Sequence, residues 1–426
     1  GSTLERVREV MNETGGNAHV LSSLDDIAWL LNIRGNDIAY CPLVLSYAIV
    51  YNNSVELFAD IRKFSDDIIN LLAENQVKIY PYEDIYRKVS EMTSEDKLLL
   101  DSAIMNYSLY QAISKETVIV DKQNPEILMK SVKNETQAEN LRKAHLKDAV
   151  AHTKFMYWLK KNIGRVEITE LSASARLEGL RAEQEHFLGP SFGPISAYGE
   201  HGAIVHYSAD EKSNVPLKEG KLFMTDTGGH YLEGSTDITR TVALGEVGNI
   251  EKEHFTLVAR AMLRLANTVF LYGCSGANLD CIAREVFWKE GLNFNHGTGH
   301  GVGYLLNIHE GPINFRWKEG ERPAPALEEN MVITDEPGIY IEGSHGIRLE
   351  NELLVRKTVK NEYGQFMNFE ILTYVPIDLD AILPEKMNTE EKEMLNHYHK
   401  QVYEKVSPYL SEEERIWLKE YTRAVK

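Results

Sequence analysis

The chain has 426 residues, of which 43% are hydrophobic and 26% charged, a composition typical of a soluble globular protein of two or three domains. Its formal net charge of −18 argues against nucleic acid or an anionic membrane surface as a main partner, because both would repel it. The sequence contains no run of about 18 apolar residues, so it predicts no membrane-spanning helix.

Cysteine usage and the N-terminus indicate the compartment. Cys41, Cys274 and Cys281 show neither C-x-x-C spacing nor a disulfide framework, so we expect free thiols in a reducing environment. The first residues lack the basic and apolar regions of a secretory signal peptide. We therefore predict a cytoplasmic protein.

The N-terminal third alternates helical and extended patterns. TLERVREVMNETGG predicts a helix, AHVLSS a strand, and Ser23 the cap of a second helix. Two β-prone runs joined at Asn52-Asn53 predict a hairpin. This alternation predicts a compact α/β domain. It contains no catalytic constellation, and capping or surface roles account for Asp25, Asp26, Arg34 and Asp37.

A polar segment separates this domain from the rest. After Pro125, Asn134 followed by Gln137 three residues later is a helix-capping pattern, and we expect a long helix to about Lys161. We predict a domain of residues 1–128 and a second of residues 129–426 that ends in a helical tail. That tail, from about Asn388, would pack on the core or form a dimer contact.

The central stretch of the second domain is KLFMTDTGGHYLEGSTDITRTVAL. Two β-prone runs around Gly228-Gly229 predict a hairpin that brings Asp226 and Asp237 together. Carboxylates on rigid strands suit a divalent cation, the alternative being two aspartates near a turn that face water. Just before this stretch, AIVHY predicts a strand that carries His206.

A glycine-rich and histidine-rich stretch, FNHGTGHGVGYLLNIHEGP, follows two predicted helices. It places His296, His300 and His309 within fourteen positions among five glycines, where backbone can approach a bound group closely. The stretch matches neither G-x-x-x-x-G-K-[ST] nor a G-x-G-x-x-G that opens a helix, so phosphate binding is rejected.

Two further strands supply acidic residues. MVITDEPGIYI predicts a strand that delivers Asp335 and Glu336 to a Pro-Gly turn. GIRLENELLVRK predicts one continuous strand with Arg348 and Glu350 on the same face. A salt bridge to a neighbouring strand is the plainer explanation of that pair taken alone.

The acidic residues and one histidine form a candidate ligand set: Asp226, Asp237, His300, Glu336 and Glu350. Five ligands are too many for one tetrahedral zinc ion, but they suit two ions that share bridging carboxylates, as in metal-assisted hydrolysis. Four clustered carboxylates would repel one another without roughly two divalent cations. The oxygen-rich set favours Mn²⁺, with Co²⁺ or Zn²⁺ as alternatives.

The stretches DTGGHYLEGSTDITRT, HGTGHGVG, NIHEGP, TDEPG and GIRLENELLV resemble the dimetal peptidases of the pita-bread fold. That family includes methionine aminopeptidase, prolidase and aminopeptidase P, and the likeness is greatest to the cytosolic three-domain Xaa-Pro aminopeptidases. It covers essentially the whole chain and implies an α+β protein, with a C-terminal pita-bread catalytic domain after a smaller α/β creatinase-like domain. The three-domain members carry a further domain before the point where this sequence begins, and its absence would be expected to slow turnover.

The resemblance also implies how the ligands divide. Asp226 and Asp237 would hold one ion, His300 and Glu336 the other, and Asp237 and Glu350 would bridge both. A hydroxide between the ions would be the nucleophile, with Glu336 orienting or deprotonating that water.

Four other residues match positions of the family outside the ligand set. By the resemblance, His206 and His309 would stabilise the developing oxyanion and position the peptide group of the substrate. His296 would shape the pocket for proline, and Arg348 would orient Glu350 or the substrate.

The implied activity is removal of an N-terminal residue that precedes proline, by a cytoplasmic homodimer acting on peptides with proline second. One alternative is a prolidase of the same fold, restricted to Xaa-Pro dipeptides. Another is a binding module whose metal ligands have decayed, and the presence of all five ligands weighs against it.

Overall fold

A computed structural model describes residues 2–426, which form two compact units, one that ends at Lys130 and one that spans Ser131–Lys426. Among the described residues, no helix combines the length and the apolar character needed to cross a membrane.

The first unit contains a six-stranded sheet in the order β4-β3-β2-β1-β5-β6. Its elements are α1 (Thr3–Glu13), β1 (Ala18–Leu21), α2 (Leu24–Leu31), β2 (Tyr47–Tyr51), β3 (Val55–Phe58), α3 (Asp66–Glu74), β4 (Val77–Tyr80), α4 (Asp84–Ser90), β5 (Lys97–Leu100), α5 (Tyr107–Ala112), β6 (Val118–Asp121) and α6 (Pro125–Ser131). Both faces of the sheet are covered, with Val20 and Ile49 in one core and Leu21 and Val50 in the other. The predicted α/β alternation is confirmed.

The helix cap and the hairpin predicted for this unit both form, but Asp26 does not lie where we expected it. The hydroxyl of Ser23 accepts from the amide of Asp26 at the start of α2, and β2 and β3 form the predicted antiparallel hairpin. Asp26 is not a surface residue, however, because its carboxylate is buried and accepts from Lys130 Nζ at 2.9 Å and Asn124 Nδ2 at 3.0 Å. A buried charge requires such partners, and these lie about a hundred positions away in the sequence.

The second unit combines six helices with sheets of six, three, three and two strands. Its elements are α7 (Glu135–Asn162), α8 (Glu170–Ala182), β7 (Phe187–Pro190), β8 (Ile195–Tyr198), β9 (Lys221–Thr227), β10 (Gly229–Tyr231), β11 (Gly234–Ser235), β12 (Ile238–Leu244), α9 (Asn249–Ala266), β13 (Phe270–Leu271), α10 (Gly276–Trp288), β14 (Gly299–Gly301), β15 (Glu310–Phe315), β16 (Val332–Asp335), β17 (Gly338–Ile341), β18 (His345–Arg348), β19 (Asn351–Asn361), β20 (Gly364–Ile371), α11 (Thr389–Val406) and α12 (Glu412–Tyr421).

The long helix and the C-terminal tail are both present. Asn134 caps α7 as predicted: its side-chain oxygen accepts from the amide of Gln137, and the side-chain oxygen of Gln137 accepts from the amide of Asn134. In the tail, Leu395 and Val402 of α11 and Leu418 of α12 are buried in the same core as Leu159 of α7. Of the two predicted roles for the tail, the structure shows packing on the core.

The central hairpin forms, but its turn does not lie at the predicted place. Strands β9 and β12 pair antiparallel with Asp226 opposite Thr239. Between them the chain makes a second, small hairpin from β10 and β11, in a separate sheet with β7, and its turn falls between Tyr231 and Gly234. Gly228 is therefore not a turn residue, and it is small because a Cβ there would overlap the carbonyl oxygen of Thr236 and the hydroxyl of Ser191.

The predicted strand through AIVHY does not form. Residues 199–203 make a 3₁₀ helix, and the next residues turn through hydrogen bonds from Ile204 N to His201 O and from Tyr207 N to Ile204 O. The prediction of a strand here was wrong. Short turn hydrogen bonds satisfy backbone groups of the segment, and the buried side chain of Tyr207 anchors it, so it needs no partner strand. His206 consequently lies in a loop.

The predicted continuous strand through GIRLENELLVRK is interrupted. β18 ends at Arg348 and pairs with β17, whereas β19 begins at Asn351 and pairs with β16 and β20. Between them the amide of Glu350 donates to the carbonyl of Thr239 at 3.0 Å. The chain therefore changes sheet here, and Glu350 contacts β12 at the point of change.

We predict that Gly228→Ala lowers the melting temperature and costs about 1–3 kcal/mol of unfolding free energy, because the new methyl group must displace backbone. Gly179→Ala is the matched control, since Gly179 lies exposed in α8 with open space around its Cα and should gain slightly in stability. Thermal unfolding of both variants measures the difference. Equal melting temperatures would show that the β9–β10 junction tolerates a side chain.

Candidate metal centre

All nine sequence-predicted site residues line one cavity of about 620 Å³ in the second unit. They are Asp226, Asp237, His300, Glu336, Glu350, His206, His296, His309 and Arg348. A cavity of this size suits a small ligand or a short peptide segment.

The five candidate ligands come from strand ends that converge on this cavity. Asp226 is the penultimate residue of β9, and Asp237 directly precedes β12. His300 lies in β14, Glu336 directly follows β16, and Glu350 lies between β18 and β19. Because sheet backbones are rigid, this placement fixes the side chains more tightly than loops would.

Four of the five residues form a close group. Asp237, His300, Glu336 and Glu350 each offer one ligand atom, and these atoms all lie within 4.8 Å of one another. His300 Nε2 is 3.4 Å from Asp237 Oδ2 and 3.2 Å from Glu336 Oε2. His300 Nδ1 lies 2.8 Å from the carbonyl oxygen of Gly301, which fits a donated hydrogen bond that leaves Nε2 for a ligand.

Two threonines orient the carboxylates of this group. The hydroxyl of Thr239 donates to Glu350 Oε1 at 2.7 Å. The hydroxyl of Thr334 donates to Glu336 Oε2 at 2.8 Å and accepts from the amide of His300 at 3.0 Å. Such contacts fix the rotamers of ligating side chains. Neither threonine was predicted from the sequence, because the contacts of Thr239 with Glu350 and of Thr334 with His300 depend on strand pairing.

Arg348 contacts a different carboxylate from the predicted one. Its Nη2 and Nε donate to Asp226 Oδ2 at 2.6 and 3.1 Å, so its partner is Asp226 rather than Glu350. Its Nη1 donates to the hydroxyl of Tyr340 at 2.8 Å, and that hydroxyl lies 2.7 Å from His296 Nε2. A chain of hydrogen bonds therefore joins Asp226 to His296. Tyr340 was also missed, although its hydroxyl is the one polar side-chain group of β17.

The raised pKa values of two candidate ligands indicate that added positive charge would stabilise the ionised site. Burial raises the pKa of Asp237 to about 7, with the charge of Asp226 adding to the effect and the hydrogen bond with His300 opposing it. Burial and the neighbouring carboxylates raise the pKa of Glu350 well above its usual value. The contact between His300 and Glu336 raises the pKa of His300 and lowers the pKa of Glu336. Burial acts in the opposite direction on each of these two pKa values.

Two buried oxygens support the fit of metal ions to these residues. Asp226 Oδ1 and Glu350 Oε2 have no hydrogen-bond partner within residues 2–426. An unpaired buried carboxylate oxygen costs several kcal/mol unless a cation or donor satisfies it. The four-residue group, with Asp226 beside it, has the oxygen-rich donor set and the unsatisfied acceptors expected of a two-ion site.

The histidines outside the group differ in their surroundings. The ring of His309 lies with its centroid 4.4 Å from that of His300, and desolvation and the charge of His300 lower its pKa. Burial lowers the pKa of His296. Both imidazoles are therefore neutral near pH 7, and His206 is exposed at the cavity.

The loop that carries His206 is held by a buried glutamate. Tyr207 donates its hydroxyl to Glu170 Oε1 at 2.8 Å, and His201 Nδ1 lies 2.9 Å from Glu170 Oε2. The rings of His201 and Tyr207 stack with centroids 4.4 Å apart. Glu170 is the first residue of α8, where an acidic residue is common, so the sequence carries no signal for this role.

Comparison with protein families agrees with this architecture. Residues 139–357 match metallopeptidase family M24, residues 1–137 match the creatinase/prolidase N-terminal domain, and residues 365–425 match the C-terminal region of peptidase M24. The chain belongs to metallopeptidase family M24. Its fold is the expected α+β arrangement, a pita-bread catalytic domain preceded by a smaller creatinase-like domain.

Within that family the chain is similar to proteins named as aminopeptidases. It is 34% identical to aminopeptidase P1 of Arabidopsis thaliana, over 99% of this chain and 73% of the relative. It matches the crystal structure of X-prolyl aminopeptidase from Caenorhabditis elegans, described as a cytosolic enzyme with a di-nuclear active site, with a TM-score of 0.93 and 33% identity over 99% of this chain and 70% of that one. A similarity to the Xaa-Pro dipeptidase from Bacillus anthracis, with a TM-score of 0.69 and 24% identity over 88% of this chain and 98% of that one, shows the shared fold alone.

We predict that Thr239→Val weakens metal binding by roughly 10–100-fold, because Glu350 loses the donor that fixes its carboxylate. Calorimetric titration of the metal-free protein with Mn²⁺ measures the affinity for the metal. Thr225→Val is the matched control, since Thr225 neighbours Asp226 on β9 and its side chain points to the opposite face. An unchanged affinity in Thr239→Val would rule out the orienting role.

Proposed function

We propose that this protein is a dimetal aminopeptidase that hydrolyses the N-terminal Xaa-Pro bond of peptides. The observation that carries the proposal is the close group of Asp237, His300, Glu336 and Glu350 in a cavity that also contains Asp226. The similarity to enzymes named Xaa-Pro aminopeptidase supports the substrate class.

The metal ions would be held by the five candidate ligands. Asp226 and Asp237 would hold one ion, His300 and Glu336 the other, and Asp237 and Glu350 would bridge them. Two divalent cations bound there supply Lewis acidity toward the substrate carbonyl and lower the pKa of water. The oxygen-rich donors favour Mn²⁺, with Co²⁺ or Zn²⁺ as alternatives.

The protein side chains would position the reacting groups. Glu336 orients the attacking water, with its carboxylate held by the hydroxyl of Thr334. His309 and His206 face the cavity, where they donate hydrogen bonds to the oxygen of the scissile carbonyl as negative charge develops on it. Burial raises the pKa of Asp226, and the charge and hydrogen bonds of Arg348 oppose that rise.

Recognition of proline would rely on the apolar wall of the cavity. Phe192, Pro194, Ile195 and Val205 line the cavity with the polar residues, and His296 is held at its edge by Tyr340. The peptide nitrogen of proline carries no hydrogen, and its ring restricts the backbone, so a shaped apolar surface selects it better than hydrogen bonding does.

The remaining features of the proposal concern the whole protein. Residues 1–128 form an accessory domain and residues 129–426 the catalytic domain. The protein works in the cytoplasm as a homodimer. The free state of all three cysteines and the description of the nematode relative as cytosolic support the compartment.

The activity is tested by metal analysis combined with turnover of an Xaa-Pro-Xaa peptide, with and without added Mn²⁺. We expect two ions per chain and release of the N-terminal residue. Cleavage confined to Xaa-Pro dipeptides would instead identify a prolidase. A folded protein that never binds Mn²⁺ would indicate a binding module.

We predict that Asp237→Ala and Glu350→Ala each abolish metal binding and activity, because a bridging carboxylate serves both ions. Metal content and peptide turnover are measured on the folded variants. Glu342→Ala is the control, since Glu342 is an exposed carboxylate between β17 and β18 and should leave both quantities unchanged. Two bound ions with near-normal turnover in either variant would refute the bridging assignment.

His309→Ala should retain both ions and lose about 10²-fold in kcat, the effect expected when one oxyanion contact is removed. His397→Ala, which removes an exposed imidazole from α11, serves as the control. A reduced metal content in His309→Ala would show that the histidine acts on the ions instead.

A further inference from the structure

A buried lysine outside the catalytic cavity contacts two segments of chain that lead to the cavity histidines. Lys133 precedes α7, and its side chain is 1% exposed. Its ammonium donates to the carbonyl oxygen of Val302 at 2.6 Å, to Glu310 Oε1 at 2.8 Å and to the carbonyl oxygen of Ser131 at 3.5 Å. An ammonium has three N–H donors, so these contacts engage all of them. Lys133 does not line the cavity, so any effect that it has on catalysis passes through its partners.

The two closest partners of Lys133 stand at the ends of the loop that carries His309. Strand β14 ends at Gly301 and β15 begins at Glu310, so residues 302–309 form the loop between them. Gly301 and Glu310 are paired across the two strands. Lys133 therefore joins the first residue of the loop to the residue that directly follows His309.

Contacts inside the loop extend this constraint to His309. The amide of Gly303 donates to the carbonyl of Asn307 at 3.0 Å, and the side-chain oxygen of Asn307 accepts from the amide of His309 at 3.0 Å. A Cβ at Gly303 would lie 3.1 Å from Glu310 Oε2, so that carboxylate lies close against the backbone of the loop. The loop held in this way places the ring of His309 with its centroid 4.4 Å from that of His300.

The energetics of a buried ion pair favour a geometric role for this contact. Taking an ammonium and a carboxylate out of water costs free energy that their attraction only partly returns, and apolar residues of similar volume often stabilise a core as well or better. An ammonium, however, fixes the positions of several acceptors at once, which an apolar side chain cannot do. Placement of the loop therefore explains the pair of Lys133 and Glu310 better than stability does.

We propose that Lys133 is a positioning residue that holds His309 where its imidazole donates to the oxygen of the scissile carbonyl. This inference rests on the proposed function, in which His309 stabilises the negative charge that develops on that oxygen. Lys133 itself touches neither the substrate nor the metal ions. Its loss would lower turnover through a small displacement of His309, because a catalytic group must lie within roughly 0.5 Å of its productive position.

The test removes the ammonium and measures turnover of an Xaa-Pro-Xaa peptide by the protein loaded with Mn²⁺. Lys133→Met should retain two ions per chain, lose roughly tenfold in kcat and change KM by less than about twofold. In a protein that already carries His309→Ala, the same substitution should cost less than about twofold in kcat, because the residue that Lys133 positions is gone. A merely destabilising substitution would not depend on His309 in this way.

Lys130→Met is the matched control. Lys130 is also a buried lysine, and its Nζ lies 2.9 Å from Asp26 Oδ1, but neither of these residues lines the cavity. The substitution leaves a buried carboxylate without its cation and should lower the melting temperature. Assayed well below that temperature, it should leave kcat unchanged.

A double variant guards against loss of the fold. Lys133→Met alone leaves the buried carboxylate of Glu310 without its ammonium partner, which is destabilising. Lys133→Met/Glu310→Gln removes both charges with little change in volume, so it should fold, as circular dichroism and thermal unfolding would verify. It should show the same loss of kcat as Lys133→Met, because methionine donates no hydrogen bond to the carbonyl of Val302.

The outcomes separate this inference from the proposed function. A normal kcat in the double variant, an undiminished loss in the His309→Ala background, or a loss of bound ions would each overturn the role of Lys133 and leave the aminopeptidase activity intact. If the unmodified protein does not cleave the peptide, the proposed function fails, and crystal structures of the unmodified protein and the double variant decide on Lys133. A displaced ring of His309 would then support the positioning role, and an unchanged separation from the ring of His300 would exclude it.

Discussion

The central constraint on the second unit is that four carboxylates, which repel one another, share one cavity. Asp226, Asp237, Glu336 and Glu350 lie where water is partly excluded, so their charges interact more strongly than at a surface. Arg348 neutralises the charge of Asp226, and His300 contacts Asp237 and Glu336. Arg348 and His300 do not satisfy every carboxylate oxygen. The remaining negative charge is the physical reason why the site requires divalent cations.

The surrounding structure holds the carboxylates against that repulsion. Arg240 of β12 is fully buried and donates to the backbone carbonyls of Thr239 and Glu350 at 2.9 and 2.8 Å. The same guanidinium donates to the hydroxyl of Tyr398 in α11 at 2.9 Å. Helix α11 of the C-terminal tail is thereby tied to the backbone that carries a candidate bridging ligand, so the tail supports the site without lining it.

The fold alone does not choose the substrate. A dipeptidase and an aminopeptidase share this architecture among the similar structures, so the ligand set and the fold define the chemistry but not the peptide length. The apolar wall of the cavity, which includes Phe192 and Val205, is the place where specificity for proline would be set.

The sequence by itself determined the features that depend on near neighbours. Capping at Asn134 and Ser23, the alternation of the first unit and the identity of the nine cavity residues follow from local patterns and from motif resemblance. Tertiary structure alone decided where strands change partners. The break between Arg348 and Asn351 and the displaced turn near Gly228 arise because backbone groups bond to distant residues. The loop around His206 is closed by local turn bonds and held by the distant side-chain contact of Tyr207 with Glu170. The contacts of Arg348, Tyr340 and Glu170 were hidden for the same reason, since a side chain's partner depends on register and packing that no short stretch encodes.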